Sequence, residues 1–174
     1  MNIVVESFNK IKSNIIDSKM KNSAQIIAVS KTFDLKHIMP LIDYGHLHYG
    51  ENKVQEAESK WKEIKKIKPE LKLHMVGKLQ SNKAKKAVEI FDYIHSLDNQ
   101  KLADVLSKSQ NLLNKSINYF IQVNIGNEQQ KSGINKDHLQ DLYSYCKSLD
   151  LDVVGLMCIP PTEQKSEFFF KEMK

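Results

Sequence analysis

Six apolar segments with strand character alternate with helical segments along this 174-residue chain. The predicted strands are Gln25–Lys31, His46–Tyr49, Lys72–Val76, Tyr93–Leu97, Asn118–Ile125 and Asp152–Ile159. The predicted helices cover about residues 3–20, 34–45, 54–67, 81–90, 99–113 and 136–148. Strands that recur roughly every 20–30 residues, with a helix between them, are typical of a parallel sheet covered by helices. The sequence therefore predicts an α/β fold in a single domain, residues 1–174.

The connections between these units narrow the fold class further. No glycine-rich GxGxxG or GxxxxGK[ST] turn follows the first strand, which argues against a Rossmann or P-loop nucleotide site. The alternative for serial β/α units is a TIM-barrel-like fold, in which the chemistry lies at the C-terminal ends of the strands. The residues at or near those ends are Lys31, Asn52, Gly77, Asp98, Asn124 and Met157 or Ile159.

Lys31 closes the apolar run 26–30 at the end of the first predicted strand. A buried ammonium group is costly unless it is paired or neutralised. Such a lysine either extends its amine to solvent or is kept partly neutral so that it can attack a carbonyl as a Schiff-base lysine. Its place at the functional end of a barrel strand favours the second interpretation. Val29 should point the same way, because strand side chains alternate.

Composition excludes several classes of function. The formal net charge of +5 could suggest a nucleic-acid partner, but all 26 basic residues are lysine, and arginine provides the forked contacts typical of such proteins. No apolar stretch approaches the roughly 20 residues that cross a bilayer, and the N-terminus lacks the pattern of a secretory signal. Cys146 and Cys158 fit no disulfide scaffold. We therefore expect a cytoplasmic protein with no nucleic-acid or membrane partner.

Six sequence blocks carry a resemblance to a known family. They are IIAVSKTF (26–33), HYGENKVQEA (48–57), LHMVGKLQSNKAKKAV (73–88), IHSLDNQKLADVL (94–106), IQVNIGNEQQKSGI (121–134) and VVGLMCIPP (153–161). In this order and spacing they resemble the pyridoxal 5′-phosphate (PLP) homeostasis protein family. The resemblance covers almost the whole chain. It implies a TIM-barrel-like PLP fold type III domain, similar to the N-terminal domain of alanine racemase.

The resemblance assigns roles to two residues. Lys31 of AVSK is implied to hold the cofactor PLP as a Schiff base, and Asn52 of GEN to lie near the cofactor ring. A neutral amide can donate to the phenolate oxygen of that ring. The alternative for Asn52 is a loop cap after the second strand.

The implied function is PLP binding in intracellular vitamin B6 homeostasis, with no catalytic reaction and with PLP-dependent apoenzymes as recipients. Two alternatives stay open. One is a racemase-like PLP enzyme, although alanine racemases take their second acid/base group from a further C-terminal domain. The other is a truncated remnant with impaired PLP binding.

The chain departs from the family pattern in one respect. A closed barrel of this kind has eight strands, and the sequence contains six. In the family, strands seven and eight supply the phosphate site and an arginine that faces the ring nitrogen. We therefore expect a barrel domain that lacks its C-terminal part and that binds PLP weakly or folds poorly. The final segment SEFFFKEMK (166–174) is predicted to be helical, with a Phe168-Phe169-Phe170 run that needs a packing partner.

Three histidines and one methionine have two interpretations each. His46 and His48 lie two apart on one predicted strand and could share a metal, but no third ligand is evident, so no metal site is expected. His74 makes either a structural hydrogen bond or a contact in the site. Met157 either lines the pocket or belongs to the core.

Overall fold

Six parallel strands form the centre of the fold and pair in chain order. The computed structural model describes residues 2–17 and 24–174. The strands are β1 (Ala28–Val29), β2 (His48–Glu51), β3 (Lys72–Met75), β4 (Tyr93–Leu97), β5 (Asn118–Gln122) and β6 (Asp152–Met157). The helices are α1 (Ile3–Asp17), α2 (Leu35–Asp43), α3 (Val54–Ile67), α4 (Ala84–Ile90), α5 (Gln100–Leu113), α6 (Leu139–Ser148) and α7 (Ser166–Glu172). This parallel β/α order confirms the predicted α/β, TIM-barrel-like class.

Short polar residues set the ends of the helices. Asp34 begins α2, and its carboxylate accepts a hydrogen bond of 3.0 Å from the His37 N–H. Asn99 begins α5 in the same way, with a bond of 2.9 Å from the Leu102 N–H. Gly45 follows α2 with a φ of 94°, a conformation that glycine adopts without strain. In the described part of the chain, no helix is long and apolar enough to cross a membrane.

Several predicted boundaries are wrong by a few residues. The first strand is confined to Ala28–Val29, because the chain turns immediately after Ser30. The second strand begins at His48 instead of His46, since the His46 N–H still bonds the Leu41 carbonyl of α2. The fifth and sixth strands end before residues 125 and 159. The predicted first helix ends at Asp17, and residues 18–20 of that prediction lie outside the described residues.

The outer face of the sheet packs against the helices and holds most of the core. Tyr49 and Trp61 are fully buried, and their rings lie 4.8 Å apart between β2 and α3. Other buried side chains on the strands are Leu73, Met75, Ile94, Tyr119 and Ile121. The predicted packing of the three C-terminal phenylalanines is confirmed only for Phe169. Its neighbours Phe168 and Phe170 are more than half exposed.

The inner face carries every second strand residue. A Cβ atom built on Gly50 would lie 3.3–3.5 Å from side-chain atoms of Ile27, Val29 and Val76, so these four positions face the same side. Lys31 follows β1 and lines one groove together with Val76 of this face. The two faces therefore separate the helix-packed core from the side on which Lys31 lies.

Three histidines cross the inner face as a hydrogen-bonded row. His48 Nδ1 lies 2.9 Å from His74 Nε2, and His74 Nδ1 lies 2.9 Å from His95 Nε2. The His74 ring also stacks on Tyr93, with 4.3 Å between centroids. Burial is the largest cause that lowers the pKa of His74, to about 3, and that of His95, to about 4. Both rings are therefore neutral in the folded chain at neutral pH.

The histidine row makes stability depend on pH. Below the unfolded histidine pKa of about 6.5, the unfolded chain binds protons that folded His74 and His95 do not bind. The free energy of unfolding should therefore fall between about pH 6.5 and pH 4, by up to about 1.4 kcal/mol per pH unit for each ring. Urea titrations across this range measure the slope. His74→Gln should make it shallower, whereas the exposed control His138→Gln should not, and equal slopes would refute the assignment.

Candidate functional site

A groove at the C-terminal ends of the strands collects the residues that the barrel interpretation singled out. Its volume is ≈ 280 Å³. The lining residues are Lys31, Asn52, Val76, Gly77, Lys78, Gln122, Val123, Asn124, Lys131, Ser132 and Ile159. The segments that follow β1, β2, β3, β5 and β6 all contribute to this groove. The structure thus brings Lys31 and Asn52 to one site, together with side chains from distant parts of the chain.

Lys31 lies in a tight turn directly after β1. The Phe33 N–H donates to the Ser30 carbonyl over 3.2 Å, which places Lys31 and Thr32 at the two central positions of the turn. Lys31 is exposed at the groove. No hydrogen bond or ion pair holds its amine anywhere in residues 2–17 and 24–174. The amine is therefore available to a ligand in the groove.

Asn52 packs against Gly77, which follows the neighbouring strand β3. A Cβ built on Gly77 would lie 2.5 Å from the Asn52 backbone oxygen, so only glycine allows this approach. The Asn52 Oδ1 atom is buried and has no hydrogen-bond partner in the described part of the chain. It therefore caps no loop through this atom, contrary to the loop-cap alternative. An unpartnered amide beside the groove suits a polar ligand atom.

Asn124 organises the loop that follows β5. Its Nδ2 donates to the Glu128 carbonyl over 2.8 Å, and its Oδ1 accepts from the Glu128 N–H over 3.1 Å. Gly133 has a φ of 120° and packs so closely on Asn124 that an added Cβ would lie 2.6 Å from its backbone nitrogen. This folding of the loop brings Lys131 and Ser132 to the groove wall.

The remaining candidates have different positions. Asp98 does not line the groove and instead accepts a hydrogen bond of 3.3 Å from the Gly133 N–H. Of the pair Met157 and Ile159, it is Ile159 that reaches the groove. His74 does not line the groove but makes the structural hydrogen bonds of the histidine row.

The two histidines at the start of β2 point to different partners. The His46 Nε2–H donates to the His48 backbone carbonyl over 2.8 Å, whereas the His48 ring contacts His74. Among the described residues, no three His, Cys, Asp or Glu side chains converge as a metal site would require. A shared metal at this pair therefore has no support in the geometry.

Sequence reasoning assigned no role to several lining residues. Gln122 could have been found from the alternation along β5, since it shares a face with Phe120, whereas Asn124 was expected at the strand end without a stated role. Lys131 and Ser132 carry no such signal, because a loop without period two places them. Lys131 is paired with Glu128 at 2.6 Å, so its charge is compensated. Lys78 is exposed and directly follows Gly77 at the rim.

A second groove, of ≈ 340 Å³, lies between α3 and α4. Its lysines are largely paired with carboxylates. Lys86 contacts Glu58 at 2.6 Å and Glu89 at 3.0 Å, and Lys65 contacts Asp92 at 2.6 Å. The lysines of this groove are therefore held in surface ion pairs. The unpaired Lys31 amine lies in the strand-end groove instead.

The donor set of the strand-end groove fits PLP. A primary amine can condense with the aldehyde, and the Asn52 amide can face the ring oxygen, because its two ends have the same shape and either can be presented. Lys78 gives the groove positive charge, which suits a phosphate group.

Comparisons with known proteins agree with this fold. The family model for the alanine racemase N-terminal domain matches residues 8–174. A pyridoxal phosphate homeostasis protein of Vibrio alginolyticus is 32% identical over 168 residues, which cover 92% of this chain and 72% of that protein. One from Haemophilus influenzae is 35% identical over 153 residues, or 87% of this chain. The chain spans 65% of the length of this second relative.

Solved structures give the same result. PipY of Synechococcus elongatus, in its structure without PLP, is 35% identical to the chain, with a TM-score of 0.83. The structure of PipY with PLP bound has a TM-score of 0.81 and 34% identity. Each match covers 94% of this chain and 77% of the PipY chain. The chain therefore belongs to the alanine racemase N-terminal domain family and, within it, to the pyridoxal phosphate homeostasis proteins.

Proposed function

We propose that residues 1–174 act as one PLP-binding domain, with PLP held as a Schiff base on Lys31, in the service of intracellular PLP homeostasis. The observation that carries the proposal is the unpaired Lys31 amine at a strand-end groove that it shares with Asn52. A relative of the same fold, PipY, has been solved with PLP bound. The names of the curated relatives supply the homeostasis role.

The binding step is a condensation that needs no oxidant or reductant. The neutral Lys31 amine adds to the aldehyde carbon of PLP, a C=N bond replaces C=O, and one water molecule leaves. Bound PLP supplies an electron sink, so the surrounding side chains decide whether it is stored or used.

Asn52 is proposed to orient the ring from the neighbouring strand. A neutral amide donates a hydrogen bond to the ring oxygen without competing for its charge. Lys78 lies at the rim of the same groove and adds positive charge near the phosphate.

The lining supports storage instead of turnover. A racemase needs a second acid/base group on the opposite face of its substrate. Among the described residues no Asp, Glu, His, Cys or Tyr side chain lines this groove, and its ionisable groups besides Lys31 are Lys78 and Lys131. We therefore propose a non-enzymatic carrier that supplies PLP to apoenzymes in the cytoplasm, with no nucleic-acid or membrane partner.

PLP-loaded chain incubated with L-alanine in deuterated water should exchange no α-proton above the rate of free PLP. Exchange that requires Lys31 would establish the racemase-like alternative.

Titration with PLP tests the central step. The chain should develop a saturable visible absorption band, because a Schiff base absorbs at longer wavelength than the hydrated aldehyde. Lys31→Ala should lose the band, whereas Lys85→Ala, which removes an exposed lysine of α4, should retain it. A folded chain that shows no band, or a band that persists in Lys31→Ala, would refute the proposal.

The Asn52 assignment has its own test. Asn52→Ala should weaken PLP binding about tenfold or more, because a hydrogen bond to a charged group contributes about 1.5–3 kcal/mol. The band itself should remain, since Lys31 is unchanged. Asn82→Ala removes an exposed asparagine outside the groove and is the matched control. Equal affinities for wild type and Asn52→Ala would exclude the contact.

A further inference from the structure

A buried carboxylate lies behind the Lys31 turn, on the outer side of the sheet. Glu51 is fully buried at the end of β2. Its Oε1 atom accepts hydrogen bonds from Ser30 Oγ at 2.8 Å, Lys60 Nζ at 2.9 Å and Trp61 Nε1 at 2.9 Å. The carboxylate therefore ties the residue before Lys31 to two residues of α3.

Lys60 connects the same carboxylate to the backbone of the turn. Its ammonium group is 8% exposed and donates to the Ser30 carbonyl at 2.9 Å. It also contacts Glu56 Oε1 at 3.2 Å, one helical turn earlier on α3. One cation therefore holds two carboxylates and the peptide group that precedes Lys31.

Glu56 holds the other side of the turn. Its Oε1 accepts a hydrogen bond of 2.9 Å from the Thr32 N–H. This bond is the largest cause that lowers the pKa of the Glu56 carboxyl, and the hydrogen bond from Lys60 lowers it further. Thr32 has a φ of 68°, a conformation in which a β-branched residue is a genuine outlier. A carboxylate thus fixes the strained residue that follows Lys31.

This arrangement carries costs that simple packing would avoid. Glu51 Oε2 is buried with no hydrogen-bond partner among the described residues. A buried ion pair contributes little to stability compared with apolar packing, and strained backbone is concentrated at functional sites. The strain lies at Thr32, directly after the proposed Schiff-base lysine, and the buried ion pair is bonded to Ser30, directly before it. Fold stability alone does not account for that placement.

We propose that Glu51, Glu56 and Lys60 are positioning residues that hold the Ser30–Thr32 turn so that the Lys31 amine faces the groove. This inference rests on the proposed function, because its purpose is the placement of the Lys31 amine. None of the three residues lines the groove, so they act through the backbone on either side of Lys31.

Amide hydrogen exchange in the cofactor-free chain tests whether Glu56 holds the Ser30–Thr32 turn. The Thr32 amide should exchange about tenfold faster in Glu56→Ala, because its hydrogen-bond acceptor is removed. Glu63→Ala is the matched control, since Glu63 is an exposed glutamate on α3 that pairs with Lys66. An unchanged Thr32 exchange rate in Glu56→Ala would overturn the inference.

Trapping with borohydride then measures the placement of the amine. The reagent delivers hydride to the C=N carbon, a proton adds to nitrogen, and the resulting secondary amine marks the lysine. Peptide mapping gives the share of PLP label on Lys31 relative to other lysines in the same sample. That share should fall about tenfold in Glu56→Ala and Lys60→Met, since small misplacements of a reacting group cost rate strongly. Glu63→Ala and Lys62→Met should match wild type.

A rescue variant separates positioning from loss of fold. Glycine adopts a positive φ without strain, so Thr32→Gly in the Glu56→Ala background should restore much of the Lys31 share. Glu56→Gln, which keeps an acceptor for the Thr32 N–H, should lose less than Glu56→Ala. Thermal unfolding of each variant shows whether the fold is retained.

The outcomes distinguish the two proposals. Labelling of Lys31 in wild type, with equal labelling in folded Glu56→Ala and Lys60→Met, would overturn the positioning role and leave PLP binding intact. Wild type that labels Lys31 no more than Lys85 would overturn the proposed function, and the positioning role would fall with it.

Discussion

The buried carboxylate of Glu51 is the interaction on which the arrangement of the site depends. It is placed on the outer face of β2, where it meets Ser30 of the turn after β1 and both Lys60 and Trp61 of α3. The turn after β1, the end of β2 and helix α3 are thereby joined at one atom. A buried charge is tolerated only with such partners, so the register of β1 against β2 and the position of α3 are set together.

The hydrogen bonds of Glu51 on the outer face also fix the positions of residues that line the groove. Ser30 and Glu51 point outwards, whereas the residue that follows each of them, Lys31 and Asn52, lines the groove. The close approach of Gly77 to Asn52 then brings β3 to the same place. Beneath the groove, the neutral histidine row fills the inner face with hydrogen-bonded rings instead of aliphatic side chains. The site thus rests on a polar layer, in contrast to the apolar core under the helices.

Much of this arrangement follows from the sequence. The order of strands and helices, the Asp34 cap and the gathering of Lys31, Asn52 and Gly77 follow from local patterns and from the rule that barrel chemistry lies at strand ends. The contacts of Glu56 and Lys60 with the Ser30–Thr32 turn do not follow from the sequence. Both residues belong to a strongly charged helix whose other lysines are mostly solvated. Nothing local distinguishes Lys60 from Lys62 before the helix is docked on the sheet.

The limits of β1 could not be predicted for a related reason. The run 25–31 has full strand character, but pairing depends on its neighbour. The pairing with β2 covers Ala28 and Val29, with one further bond from the Ser30 N–H to the Gly50 carbonyl. The positive φ of Thr32 is likewise invisible in the sequence, since threonine does not signal a turn of that type. The contact of Thr32 with Glu56 of α3 overrides the preference of threonine for a negative φ.

A crystal structure of the chain after reduction with borohydride in the presence of PLP would test the account most directly. We predict continuous electron density from Lys31 Nζ to the cofactor, with the ring in the strand-end groove beside Asn52 and with Glu51, Glu56 and Lys60 still in contact with the turn. Cofactor density on another lysine, or an empty groove in a fully labelled chain, would contradict it.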